Sequence, residues 1–432
     1  MDMRILVSGW HSLILSVTAA ISCLAMGGVP PGKILVFPGA QGFGTDTPAG
    51  RGGVIYRVTS LGDHGSGSLR KALASSGAKI IVFEVGGVIS LASDLIVKYP
   101  FITIAGQTAP SPGITLVGAG LRIVTHDVLV QHLRIRPGDA PAGTSPVNRD
   151  ALQILSPKAY NVVVDHVSAS WAIDENISFW GGPRDVTLSH CLISSALNDS
   201  LHPKGPHSNG LLIGEGSQRV ALVQNVLANN ASRNPRLKGG VSAAVVNNVF
   251  YNSQTSRNFG SIGSDSGPNI LSAVGNKFIA GPNTGPGAFG WKVESNASIG
   301  SKVYFEDNQA PGGSHLETSV EVFTAPIWHK SLIAHPASQI EDMVLRSAGA
   351  RPADRDAVDA RTIREVRNRT GAIIDSPSEV GGLTPVANIH RTFSAPSNPH
   401  GDDDGDGYTN IEEVLHRMAA GLERERMDRG QN

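Results

Sequence analysis

Hydrophobic and polar positions alternate in short bursts along most of this chain, and the bursts repeat. Six segments share one pattern: VLVQHLRI (128–135), VVVDHVSA (162–169), VTLSHCLI (186–193), ALVQNVLA (221–228), AVVNNVFY (244–251) and SAVGNKFI (272–279). Each is a short β-branched run, then a His or Asn, then another apolar pair. The fifth positions are His132, His166, His190, Asn225, Asn248 and Asn276, spaced 34, 24, 35, 23 and 28 residues apart. A period of about 20–50 residues marks a stacked array whose units cannot bury their apolar faces alone. Because the unit is strand-rich, the pattern predicts an all-β parallel β-helix, with the His and Asn positions forming one internal ladder of polar side chains.

Further strands are expected at 34–37, 54–61, 80–85, 87–91, 101–106 and 113–118. Ser68, followed by Leu69, Ala72 and Leu73, reads as the start of a short amphipathic helix. It is the candidate cap for the open first coil, which would otherwise expose core and a sheet edge. The two long steps of the repeat hold insertions at 139–151 and 197–210, expected to leave the stack at corresponding corners. Beyond about residue 285 the strand pattern thins. Ser338-Gln-Ile-Glu341 reads as a capping box opening one helix, and 357–369 as a second helix stopped by Gly371. The expected organisation is a β-helix domain at 33–330, a helical or irregular brace at 331–400, and a terminal loop at 402–413 followed by a helix.

Composition narrows the function. Lys plus Arg is 36 against 37 Asp plus Glu, a net charge of −1, so bulk attraction to nucleic acid or to an anionic membrane is not expected. Residues 1–26 have a positive start at Arg4 and an apolar run within 9–22, too short to span a bilayer comfortably. They read as an export signal. The alternative is a lipid anchor through Cys23. After cleavage beyond Cys23 one cysteine would remain, Cys191, which excludes a disulfide framework and reads as a buried free thiol.

Three polar clusters fall at strand ends or in the long insertions. They are Asn148-Arg149-Asp150, the segment from Ser170 through Asp174 and Glu175 to Ser178, and the stretch from His202-Pro-Lys204 to Arg233-Asn-Pro-Arg236-Leu-Lys238. Coils stack about 5 Å apart, so residues distant in sequence converge. Carboxylates without thiols suit Ca²⁺ better than Zn²⁺. At the C-terminus, Asp402, Asp404, Asp406, Tyr408, Asn410 and Glu413 occupy positions 1, 3, 5, 7, 9 and 12 of a Ca²⁺ loop, with Gly407 at position 6.

In order and spacing, the strings FPGAQGFG (37–44), GRGGVIYRVTSL (50–61), ITIAGQTAPSPGI, VLVQHLRIRPGD, VVVDHVSASWAIDEN and RNPRLKG (233–239) resemble those of the pectate lyases, polysaccharide lyase family 1. The resemblance covers residues 33–260 well and the remainder loosely. It implies a right-handed parallel β-helix and a secreted, monomeric, Ca²⁺-dependent enzyme that splits polygalacturonate by β-elimination. It also implies roles by position. Arg233 matches the base that removes the C5 proton. Lys204, Arg236 and Lys238 are the substrate-binding candidates, Lys204 lying where the family holds the substrate carboxylate and Lys238 where it commonly has a second arginine. Asp150 and Asp174 match Ca²⁺ ligands. Ser178 stands where the family has another aspartate, and some relatives carry an acid where Asn148 stands, so Glu175 is the candidate substitute ligand. Two other functions fit the same fold: a lyase on esterified pectin or another uronate polymer, and a non-catalytic β-helical carbohydrate-binding protein.

Overall fold

The computed structural model describes residues 34–255, 257–264, 266–316, 320–322, 324–384 and 387–425. The export signal and Cys23 lie outside them. Three parallel sheets are built from strands between residues 54 and 322, and successive strands of each coil enter them in turn, forming a right-handed parallel β-helix. One sheet has eleven strands, one has eight, and one has nine, the last including one antiparallel edge strand.

The alternation found in the sequence decides which side chains enter the stack. In the eleven-stranded sheet, Val128, Val162, Val186 and Val220 stand one above another and are fully buried, as are Val130, Val164, Leu188 and Leu222. Each such side chain contributes roughly 1.5–3 kcal/mol of transfer free energy. The residues between them face outward and are covered by other parts of the chain. Leu129 and Val163 lie under Val36, Ala40 and Ala49, while Ala221 and Val223 lie beside Phe43. This is why the strand expected at 34–37 does not form. The segment lies across the face of the sheet, where Val36 N donates to Thr45 O at 2.7 Å. Gly44 sits in the left-handed region (φ +72°), and a Cβ there would come within 2.2 Å of Asp185 O.

The single polar ladder expected from the repeat resolves into two neighbouring columns. Ser189 pairs with Val223, so His190 aligns with Gln224, and Cys191 aligns with Asn225. The corner column is His132, His166, His190, Gln224, Asn247 and Gly275, all with φ between 51° and 65°. The next column is internal. In it Asn225 donates to Asn248, Asn248 to Asn276 and Asn276 to Asn308, at 2.9, 3.1 and 2.8 Å. The similar local strings concealed a one-residue offset, which in an extended chain moves a side chain to the other face. Cys191 is a buried free thiol whose pKa is pushed up by burial.

Helix α1 (Leu69–Ala74), capped by Ser68, drives Leu69, Ala72 and Leu73 into the solenoid core. Helix α2 (Ile340–Ser347) lacks the expected capping box. Gln339 holds the cap position in a helical conformation without a side-chain bond, and Glu341 turns instead to Lys277 and Arg369, at 3.5 and 2.6 Å. Helix α3 (Ala357–Asn368) ends at Arg369 (φ 58°), before Gly371. Both helices cover apolar residues of the nine-stranded sheet. Arg134 and Arg136, almost fully buried, tie α3 down through Asp356 and Asp359. Helix α4 (Asn410–Ala420) packs Ile411 and Leu415 on Ile80, Val82 and Ala105. The short strand Ile389–His390 pairs antiparallel with Val85 and Gly86, at the edge of the nine-stranded sheet.

Candidate active site

The eight-stranded sheet carries the site on its outer face. Leu152, Ile154, Ile177, Phe179, Leu211 and Ile213 point into the core, which leaves Gln153, Ser178, Leu212 and Arg236 in register on the opposite face. The loops entering these strands hold Asp150, Asp174, Lys204 and Arg233. The stack thus gathers residues up to 116 positions apart (Arg122 to Lys238) into one cleft of about 530 Å³. Its lining includes Asn148, Asp150, Asp174, Glu175, Ser178, Trp180, Lys204, His207, Arg233 and Lys238. A second cavity of about 530 Å³ shares Arg233 and His207 with the first and continues past Arg236, Arg257 and Lys292.

Asp150, Asp174 and Glu175 each place a carboxylate oxygen within 4.8 Å of the others. Asp150 is buried. Its Oδ2 accepts hydrogen bonds from the Ser178 hydroxyl and from Gln153 Nε2, the latter at 3.0 Å. Its Oδ1 has a 3.4 Å contact with Glu175 N. Ser178, where the resemblance led to a second aspartate, therefore supports Asp150. Burial and the nearby Asp174 push the Asp150 carboxyl up to about 7. Burial also raises Asp174, although His202, His207, Arg233 and Lys204 pull it back. Oxygen donors without thiols, carrying more negative charge than this setting readily supports, fit a hard divalent cation.

Arg233 lies against this cluster in an ion pair with Glu175. Its backbone is left-handed (φ 56°). Burial holds the guanidinium below its ordinary pKa, helped by Arg236 and opposed by Asp174 and Asp150. Glu175 is thus already committed to Arg233, and it can serve a cation only in exchange for that pair. An internal amide chain backs both residues: Asn176 Nδ2 donates to Asn230 Oδ1 at 3.0 Å, and Asn230 Nδ2 to Asn234 Oδ1 at 3.1 Å. It fixes the residue next to Glu175 and the residue next to Arg233.

The remaining substrate-binding candidates differ in availability. Lys204 is exposed beside Asp174. Lys238 places its ammonium 5.4 Å from the centre of the Trp180 ring. Arg236 is paired with Glu294 at 2.8 Å, so its charge is largely answered within the protein. Sequence reasoning missed Trp180 and Glu294, and it placed His202 and His207 in the third polar cluster without giving them a role. Trp180 was within reach of it, because it stands two residues after Ser178 on the same strand and so on the same face. His207 Nε2 lies 3.5 Å from Asp174 and its ring stacks on His202 at 3.6 Å.

In the C-terminal loop Asp402, Asp404 and Asp406 come together on the surface. Asp402 accepts from Gly405 N and Gly407 N, at 2.8 and 3.0 Å. Asn410, expected as a ligand, is used otherwise. Its Oδ1 accepts from Asp403 N and its Nδ2 donates to Asn398 O, closing the loop onto the start of α4. Glu413, on α4, lies beside Asp404 and Asp406, and the Tyr408 ring packs edge-on to His416.

No family model matches the chain. A curated relative does: the sequence is 35% identical over 374 residues to a probable pectate lyase C of Aspergillus flavus, covering 84% of each chain. Among solved structures, the major allergen from cedar pollen has a similar fold (TM-score 0.54, 19% identity, 71% of this chain and 91% of that one). So does a variant of a Bacillus subtilis pectate lyase (TM-score 0.51, 14% identity, 74% and 99%).

Proposed function

This chain belongs to the pectate lyases and is a polysaccharide lyase; from that membership we propose that it acts outside the cell on polygalacturonate, by Ca²⁺-assisted β-elimination with Arg233 as the base. The observation that carries this is the placement of Arg233 against three clustered carboxylates, in a groove that continues on both sides of it. Arg257 and Lys292 on one side, and Lys204 and Lys238 on the other, suit a polymer of acidic sugars.

The reaction removes the proton at C5, α to the uronate carboxylate. The C5–H bond breaks toward Arg233, its electron pair forms the C4=C5 double bond, and the C4–O bond breaks. The departing oxygen takes a proton from water. A guanidinium is a poor base at its free pKa, and the buried setting of Arg233 reduces that handicap. Held by Asp150, Asp174 and, in exchange for its ion pair, Glu175, Ca²⁺ would neutralise the uronate carboxylate and the charge that develops beside C5. Lys204 adds a positive charge for the same carboxylate, and Trp180 offers an apolar face to a sugar ring.

We infer further that Asp402, Asp404, Asp406, the Tyr408 carbonyl and Glu413 hold a second, structural Ca²⁺. Residues 1–26 are read as the export signal, to be checked by the N-terminus of protein recovered from culture medium. Incubation of purified protein with polygalacturonate tests the main reading. Ultraviolet absorbance of unsaturated product should grow, and should stop when a chelator is added. Binding without product would favour the non-catalytic alternative, and turnover confined to methyl-esterified pectin would favour the pectin one.

A further inference from the structure

The corner column of imidazoles is more than packing. His132, His166 and His190 lie one coil apart where the eleven-stranded sheet turns into the nine-stranded one. Their ring centroids are 5.2 and 4.7 Å apart and their planes lie within 15° and 9° of parallel. Each Nδ1 has an acceptor: Ala350 O at 2.7 Å for His132, Asp165 Oδ2 at 2.9 Å for His166 and Asp165 Oδ1 at 3.3 Å for His190. Acceptors on Nδ1 hold the proton there and leave the Nε2 lone pair directed away from them. His190 uses its Nε2 as well, on Gln224 Oε1 at 3.2 Å. His132 and His166 do not. Among the described residues their Nε2 atoms are buried without a hydrogen-bond partner, in residues 0% and 3% exposed. A buried polar atom left without a partner is uncommon and points to a functional role or a bound group.

Glu423 faces the two free nitrogens. Its Oε1 is 3.8 Å from His132 Nε2, beyond hydrogen-bond reach, and the three ligand atoms lie within 4.8 Å of one another. His166 and Glu423 line a cleft of about 520 Å³ together with Gln224, Met343 and Arg346. The Arg346 charge is answered by Asp342 at 2.7 Å. Two neutral imidazoles and a carboxylate form a donor set for a borderline first-row divalent ion, whereas Ca²⁺ takes oxygens. Asp165 behind His166 supplies the outer carboxylate that commonly orients a ligating imidazole.

We propose that His132 Nε2, His166 Nε2 and Glu423 form a binding site for a divalent transition-metal ion of the Zn²⁺ kind, which clasps the segment after α4 to the corner of the solenoid. Metal–ligand distances of about 2.0–2.2 Å require the three atoms to draw together. Glu423, its side chain 32% exposed, is placed to make most of that movement. The fourth position opens to water in the cleft. The ion would join coils at residues 132 and 166 to a residue nearly 260 positions further on (166 to 423).

Calorimetric titration of the full chain with Zn²⁺, in excess Ca²⁺ to saturate sites made of oxygens, tests this. One equivalent should bind at this site, and Co²⁺ in its place should give visible absorption bands, a readout independent of activity. Glu423→Gln and His166→Gln should each weaken that equivalent at least tenfold. In Glu423→Gln circular dichroism, metal-free melting and turnover of polygalacturonate should be unchanged. A glutamine is suited to this column because Gln224 already occupies it. If His166→Gln fails to fold, Glu423→Gln decides alone. Absence of stoichiometric Zn²⁺ uptake, or uptake that the folded variants retain within twofold, overturns the proposal. The second outcome would place the ion at Asp174, His202 and His207 instead.

Discussion

Replacing Asp150 by asparagine should make the metal-free protein more stable at pH 8 while abolishing its Ca²⁺-dependent activity. The carboxyl is buried beside Asp174 and is pushed up to about 7, from an ordinary value of 3.8. A folded pKa above the unfolded one means that the folded state binds the extra proton. Asp150 therefore imposes no penalty below about pH 4, and it destabilises progressively as the pH rises toward about 7. The difference of about 3 units, at 1.36 kcal/mol each, sets a ceiling of about 4 kcal/mol. Sharing of the charge with Asp174 brings the expected gain nearer to about 2 kcal/mol. Asparagine keeps an acceptor for Ser178 and Gln153 and gives up only the 3.4 Å contact from Glu175 N. Urea denaturation in chelator should show Asp150→Asn matching the natural protein at pH 4 and exceeding it at pH 8. Adding Ca²⁺ at pH 8 should stabilise the natural protein more than the variant. A stability difference that does not change between the two pH values, or a variant less stable at pH 8, would refute the crowded-carboxylate account.

Arg233→Lys should lower turnover by about 10²–10⁴-fold, the usual contribution of a positioned base, with circular dichroism and polygalacturonate binding retained. Because burial lowers the Arg233 pKa and the neutral form is the base, the rate of the natural enzyme should rise from pH 6 to pH 10; a steady fall with the protein intact would contradict that assignment. Asn248→Ala leaves Asn225 N and Leu222 O buried without their partners and should cost about 3 kcal/mol in urea denaturation, whereas a loss under about 1 kcal/mol would show that the internal ladder is dispensable. Asp404→Ala should lower the melting temperature in Ca²⁺ but not in chelator and leave turnover alone, and an equal loss in both conditions would remove the C-terminal ion.

Much of the architecture was legible because a solenoid writes its period into the chain. Val128, Val162, Val186 and Val220 recur where the interior needs them, and the insertions before Asp150 and after Leu197 stand out against that rhythm. Register was not legible to the residue. His190 and Asn225 follow similar runs, yet a β-branched run can begin one position early without changing its appearance, and only the pairing of Ser189 with Val223 separates the two columns. The segment 34–37 has the composition of a strand and becomes a cover, because its choice of partner depends on the face beneath it. At the site, the gathering of Asp150, Asp174, Lys204 and Arg233 followed from stacking. The pairing of Glu175 with Arg233, and of Arg236 with Glu294, did not, because such pairs depend on side-chain directions across coils 58 residues apart (175 to 233 and 236 to 294).

The two-residue strand at Ile389–His390 bears on how many molecules remain separate. A parallel solenoid ends in unpaired backbone donors and acceptors, and identical ends can add to one another without limit. By running antiparallel along Val85 and Gly86, this segment occupies part of the first edge in an orientation that no further parallel coil can extend. The first edge of the nine-stranded sheet is thereby closed by a strand drawn from about 300 positions further along the chain (86 to 389).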